Sequence, residues 1–160
     1  MRPDFRRSTM LAAALPAALA LTVSAVAPAR ADRCEDIANE VKGQVDGVKV
    51  GITTGRIIYL SHPHAKELSL GCHGANYSNE LYAKAYGRKP KPEFLQLVAS
   101  AGAIIFTIPK PDVLTGSTRC IKRMGLLRGD TVKMRFRRLN MECTRTKKDA
   151  AIAITRGKDE

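Results

Sequence analysis

Hydrophobic positions recur along this chain with two different periods, and the switches between them divide it into elements. Ile37, Ala38, Val41 and Val45, set among Asp36, Glu40 and Asp46, form an i, i+4 stripe. That stripe predicts a first helix of about three turns, ended by Gly47. Val48, Val50 and Ile52 then alternate with Lys49, Gly51 and Thr53, and after a Thr54-Gly55 turn Ile57 and Tyr59 should return on the same face of a hairpin. Because Ile58 and Leu60 are also apolar, the returning strand is expected to be covered on both sides. Leu68, Leu70 and Cys72 mark a third strand after a loop from Ser61 to Ala65.

The middle of the chain is less regular. Ser78 could begin a short helix over Asn79 to Tyr86, with Tyr82 and Tyr86 as a packed pair four residues apart, before a basic linker, Gly87-Arg88-Lys89-Pro90-Lys91. Pro92 suits the first position of a strong helix whose Phe94, Leu97, Val98, Ala101, Ile104 and Ile105 repeat every three or four positions. Pro109 and Pro111 stop it. A weaker helical stretch runs from Asp112 to Met124, where Thr115-Gly116-Ser117 favours a loop and Cys120, Ile121 and Met124 make the buried side.

Near the carboxyl end the alternation is clean, and on a strand a slip of one residue would reverse every side chain. Val132, Met134 and Phe136 share one face, and Lys133, Arg135 and Arg137 share the other. A two-residue turn at Leu139-Asn140 would pair Phe136 with Cys143 and Arg137 with Glu142. A second turn at Lys148-Asp149 would bring Ile152 opposite Arg145 and Ile154 opposite Cys143. The fold expected is α+β: an antiparallel sheet of about six strands, in two three-stranded meanders, packed against two or three helices and held by disulfides. Helix followed by three strands occurs twice, which hints at a duplicated unit.

The first residues change the picture of where this domain works. Arg2, Arg6 and Arg7 precede an apolar run from Met10 to Val26, and Ala29-Arg30-Ala31 supplies small residues for a cut after Ala31. Residues 1–31 thus read as a cleavable signal peptide and 32–160 as a single domain, exported to the periplasm or secreted from a bacterium. A membrane anchor is the rival reading, but Pro16 and the excess of Ala over Leu and Ile argue for removal. The residues after Arg6-Arg7 fit a twin-arginine signal poorly.

In an oxidising compartment, Cys34, Cys72, Cys120 and Cys143 read as two disulfides with three possible connectivities. Quasi-independent halves would give Cys34 with Cys72 and Cys120 with Cys143. A site for zinc built from all four lacks the close C-x-x-C spacing it needs.

Charge is uneven. Asp32 to Thr118 holds ten basic and nine acidic residues, whereas Arg119 to Glu160 holds thirteen and five, so this last part carries +8 of the +9 remaining after the signal. An electrostatic partner should therefore meet the chain there. Lys133, Arg135 and Arg137 form the candidate anion-binding row, about 6.8 Å apart on a strand. They suit an anionic surface, an anionic polymer or an acidic protein face. Nucleic acid fits less well, because the chain has no Trp and Phe136 faces away from the cations.

Chemistry leaves fewer traces. His62, His64 and His73 are the three histidines, a weak metal set or an acid–base group for a secreted hydrolase together with Glu67. Thr115-Gly116-Ser117-Thr118 lacks the Gly-Lys ending of a phosphate-binding loop, and neither G-x-S-x-G nor H-E-x-x-H occurs. No cofactor motif is present. Asn76-Tyr77-Ser78 is a glycosylation sequon, relevant only in a host that glycosylates. The functional expectation is a small basic exported protein that acts as a non-enzymatic binding module, with a hydrolase or metal binder centred on the histidines as the alternative.

Overall fold

The computed structural model of the protein describes residues 31–73, 78–125 and 129–157. Of the expected signal over residues 1–31, all but Ala31 lies outside them, as do Asn76 and Tyr77 of the sequon. The elements are α1 (Ala31–Gln44), β1 (Lys49–Thr54), β2 (Ile57–His62), β3 (Ala65–His73), β4 (Ser78–Ala85), α2 (Pro92–Phe106), α3 (Lys110–Arg123), β5 (Thr131–Phe136), β6 (Leu139–Arg145) and β7 (Ala150–Arg156).

The strands form one seven-stranded sheet in the order β1-β2-β3-β4-β7-β6-β5, and every neighbouring pair is antiparallel. The three helices pack on one face of it. An α+β architecture stabilised by two disulfides is thus what the chain adopts, with one strand more than the hydrophobic pattern suggested. The extra strand is β4. Its Leu81, Ala83 and Ala85 are at most 1% exposed, alternating with Tyr82 and Lys84, which point away. This period of two replaces the short helix expected over Asn79 to Tyr86, and Tyr82 and Tyr86 are no helical pair. Pairing of β4 with both β3 and β7 fuses the two meanders into a continuous sheet.

The first hairpin differs from expectation in parity. Between Val50 and Thr53 the β1–β2 register shifts at a bulge, and an extra residue there turns the strand. As a result Val50 pairs with Leu60 on the helix side, Ile57 and Tyr59 face away, and Ile52 is 71% exposed. So β2 is covered on one face, not two.

α2 begins at Pro92 and ends at Thr107, whose left-handed backbone (φ 54°) lets the N–H of Ile108 reach the Ala103 carbonyl at 3.2 Å. α3 follows at once and is a full helix through the Thr115-Gly116-Ser117 stretch. Gly116 and Ser117 are buried there because close approach to the sheet requires small residues.

Both disulfides tie a helix to the sheet. Cys34 of α1 bonds Cys72 of β3, with Cα atoms 6.3 Å apart, and Cys120 of α3 bonds Cys143 of β6 at 5.9 Å. The pairing is the one within halves. The second bridge lies in the core, both cysteines being fully buried. Among the described residues no helix is long and apolar enough to cross a membrane.

Candidate functional site: the basic end of the sheet

Parity in β5 is as the alternation demands: Val132 is 8% exposed, Met134 and Phe136 pack on the core, and Lys133 and Arg135 are exposed on the opposite face. The turn is elsewhere. Arg137 and Arg138 make it, so Phe136 pairs with Leu139, Met134 with Met141 and Val132 with Cys143. Likewise β7 joins β6 with Ile152 opposite Cys143 and Ile154 opposite Met141, after a loop over Thr146 to Asp149. Shifts by two or four residues keep apolar with apolar, which is why the hydrophobic pattern tolerated a misplaced turn.

This turn dismantles the expected row of three cations. Lys133 and Arg135 stay on the helix-free face, and Lys133 sits directly opposite Glu142, to which it donates at 3.2 Å. Arg137, with a left-handed backbone (φ 53°), swings to the helix side, where its Nε donates to Asp112 of α3 at 3.2 Å. Its guanidinium lies 6.0 Å from the centre of the Phe136 ring, and that of Arg119 from α3 lies 5.2 Å from the same ring. Phe136 therefore carries two guanidinium groups, an arrangement the ring quadrupole favours.

Two further arginines close on the same place. Arg156 pairs with Leu139, and the N–H of the next residue, Gly157, donates to the Arg138 carbonyl at 2.8 Å. A Cβ placed on Gly157 would lie 3.4 Å from Arg135 Nε and 3.4 Å from Asn140 Oδ1. Arg119, Arg135, Arg137, Arg138 and Arg156 thus surround the end of the β5–β6 hairpin, and all five are exposed. Sequence reasoning singled out two of them. Arg119 and Arg156 belong to elements that only the sheet order and the packing of α3 bring to this end.

The helix-free face is electrically balanced. From β2 to β7 it sets Lys84, Lys133 and Arg135 against Glu67, Glu80 and Glu142. A shallow depression of about 460 Å³ lies on it, lined by side chains that include Lys133, Arg135, Glu80, Glu142 and Asn140. Lys84 donates to Glu67 at 2.7 Å, which holds its ammonium above the ordinary lysine value. Lys66 donates to Asp149 at 2.9 Å, which holds that carboxyl below its own. Between them the Tyr82 phenol is raised by partial burial and by the Glu67 charge.

The opposite end of the same strands, about 20 Å away along β6, also gathers cations. There, however, they serve the fold: Arg88 meets Asp130 at 3.5 Å, and Arg145 donates to the carbonyls of Ile121 and Met124 at 3.4 Å each, closing the negative end of α3.

The histidines divide. His62 and His64 flank the β2–β3 turn with rings 5.1 Å apart. His62 Nε2 bonds the Asp46 carbonyl at 3.0 Å, and His62 Nδ1 accepts the His64 N–H at 3.1 Å, so both ring nitrogens brace the loops. His73 ends β3, eight residues beyond Ala65 and about 26 Å along the strand. A site using all three is therefore not brought together, and no cluster of three potential metal ligands occurs among the described residues. Comparison with protein-family models, with curated proteins and with solved structures finds no match to this chain.

Proposed function

We propose that this protein is exported and acts as a non-enzymatic binding module, meeting an anionic partner through the basic C-terminal part of its sheet. One observation carries the reading: five exposed arginines collect around the β5–β6 turn, one of which, Arg137, is paired with Asp112. A cationic cluster of this kind raises the local concentration of anions and speeds encounter. The two disulfides support export, since such bonds persist in oxidising compartments.

Retention on immobilised heparin tests it. Binding should weaken steeply with salt and fall in a Lys133→Ala, Arg135→Ala, Arg137→Ala variant. Wild-type protein that passes unretained at low salt would refute the anionic partner. Retention unchanged by the triple substitution would refute its placement on this sheet.

A further inference from the structure

Five guanidinium groups gather around the β5–β6 turn. At the opposite end of the strands Arg88 bonds Asp130 and Arg145 bonds the last carbonyls of α3, and Lys89, Lys147 and Lys148 are exposed beside them. A guanidinium offers a planar fork of donors that matches phosphate oxygens, and an ammonium is a point charge. Resting on the anion-binding reading above, we propose that this end of the sheet docks on the phosphate groups of an anionic phospholipid surface.

Shape selects the surface over a threaded polymer. The cluster caps a hairpin turn and wraps it from both sides of the sheet: Arg135 comes from the helix-free face, Arg119 and Arg137 from the helix side. Cations that ring a turn from both faces of the sheet can meet a plane together, whereas an extended chain would follow one face. The nearby depression on the helix-free face does not compete, because Glu80 and Glu142 line it. Phe136 adds preorganisation. With two guanidinium groups already held near its ring, at 5.2 and 6.0 Å, less side-chain freedom is lost on docking.

Flotation with vesicles of phosphatidylglycerol in phosphatidylcholine, using the protein as processed after export and with both disulfides formed, tests this. Each arginine near an anionic surface is worth about fivefold in partitioning. Arg119→Ala, Arg138→Ala, Arg156→Ala should then bind about a hundredfold more weakly, and Arg138→Ala, Arg156→Ala, which leaves Arg119 near Phe136, about 25-fold. Lys89→Ala, Lys147→Ala, Lys148→Ala removes the same charge from the other end and should lose less than about tenfold. Equal losses at both ends would overturn the proposed orientation. Wild-type protein retained on heparin but absent from the vesicles would sink the lipid proposal and leave the anion reading standing; loss of both would end both.

Discussion

Gly116 of α3 lies so close to Met141 of β6 that a Cβ on the glycine would fall 2.7 Å from the Met141 methyl carbon, and 2.9 Å from a Phe136 ring carbon. The helix rests on the strand without a side chain between them. Gly116→Ala gains about 1 kcal/mol of helix propensity, but it overpacks a site whose ring cannot withdraw, at a cost of about 1–3 kcal/mol. Net destabilisation of about 1 kcal/mol is expected in urea melts. Adding Met141→Val, which removes the atoms in the way, should recover part of it. Gly43 in α1 is the counter-case: nothing lies within 4 Å of its missing Cβ, so Gly43→Ala should stabilise by about 0.5 kcal/mol.

Ser117 is fully buried and its hydroxyl has no hydrogen-bond partner. An unsatisfied buried donor costs about 1–3 kcal/mol. Ser117→Ala deletes the hydroxyl and leaves a small residue facing the core, so stability should rise by about 1 kcal/mol, read as a higher Tm. A lower Tm would mean that the hydroxyl is satisfied.

The charged face predicts how stability depends on pH. Asp149 is held below its ordinary value of 3.8, chiefly by the Lys66 hydrogen bond. Its contribution is therefore present above that value and lost as pH falls through the lower folded one. Lys84 is raised above 10.5, chiefly by hydrogen bonding to Glu67, so its contribution is present below 10.5 and lost as pH climbs through the raised value. Tyr82, raised above 10.0 chiefly by desolvation, acts in the same direction, because folding favours its neutral phenol. Melting temperature should thus decline on the alkaline side above about pH 10, and less steeply in Tyr82→Phe.

The two disulfides should part company under reductant. Cys34 and Cys72 are partly exposed, whereas Cys120 and Cys143 are fully buried. Thiol labelling during mild reduction should reach Cys34 and Cys72 first. From loop separations of 38 and 23 residues, chain entropy gives up to about 4 kcal/mol for the first bridge and about 3 for the second. Replacing Cys120 and Cys143 by Ala should cost more than its loop alone implies, since the core also loses both sulfurs.

What the sequence disclosed followed the strength of its periodicity. α2 and the faces of β5 were legible because a full apolar stripe or a strict alternation leaves one arrangement. The β5–β6 turn was not, because moving it by an even number of residues keeps every face; the clue was Leu139, 1% exposed, which an exposed turn position would have wasted. β4 hid behind Ala83 and Ala85, good helix formers whose smallness serves the packing of α2 on the sheet. The arginine cluster was half visible, since no local pattern links Arg119 to Arg156.

Sheet order also decides when the fold can be completed. β4 ends at Ala85 and its partner β7 begins at Ala150, while one cross-link closes wholly before that gap and the other wholly within it. A first half that folds and oxidises before the last strand is in place holds β4 as a bare edge, its N–H and C=O groups unpaired. Only the final strand covers that edge, and it covers β6 at the same stroke. A product that stops short of Ala150 adds two naked borders, β4 and β6, to the β1 and β5 edges of the finished sheet, an open invitation for one copy to zip onto another.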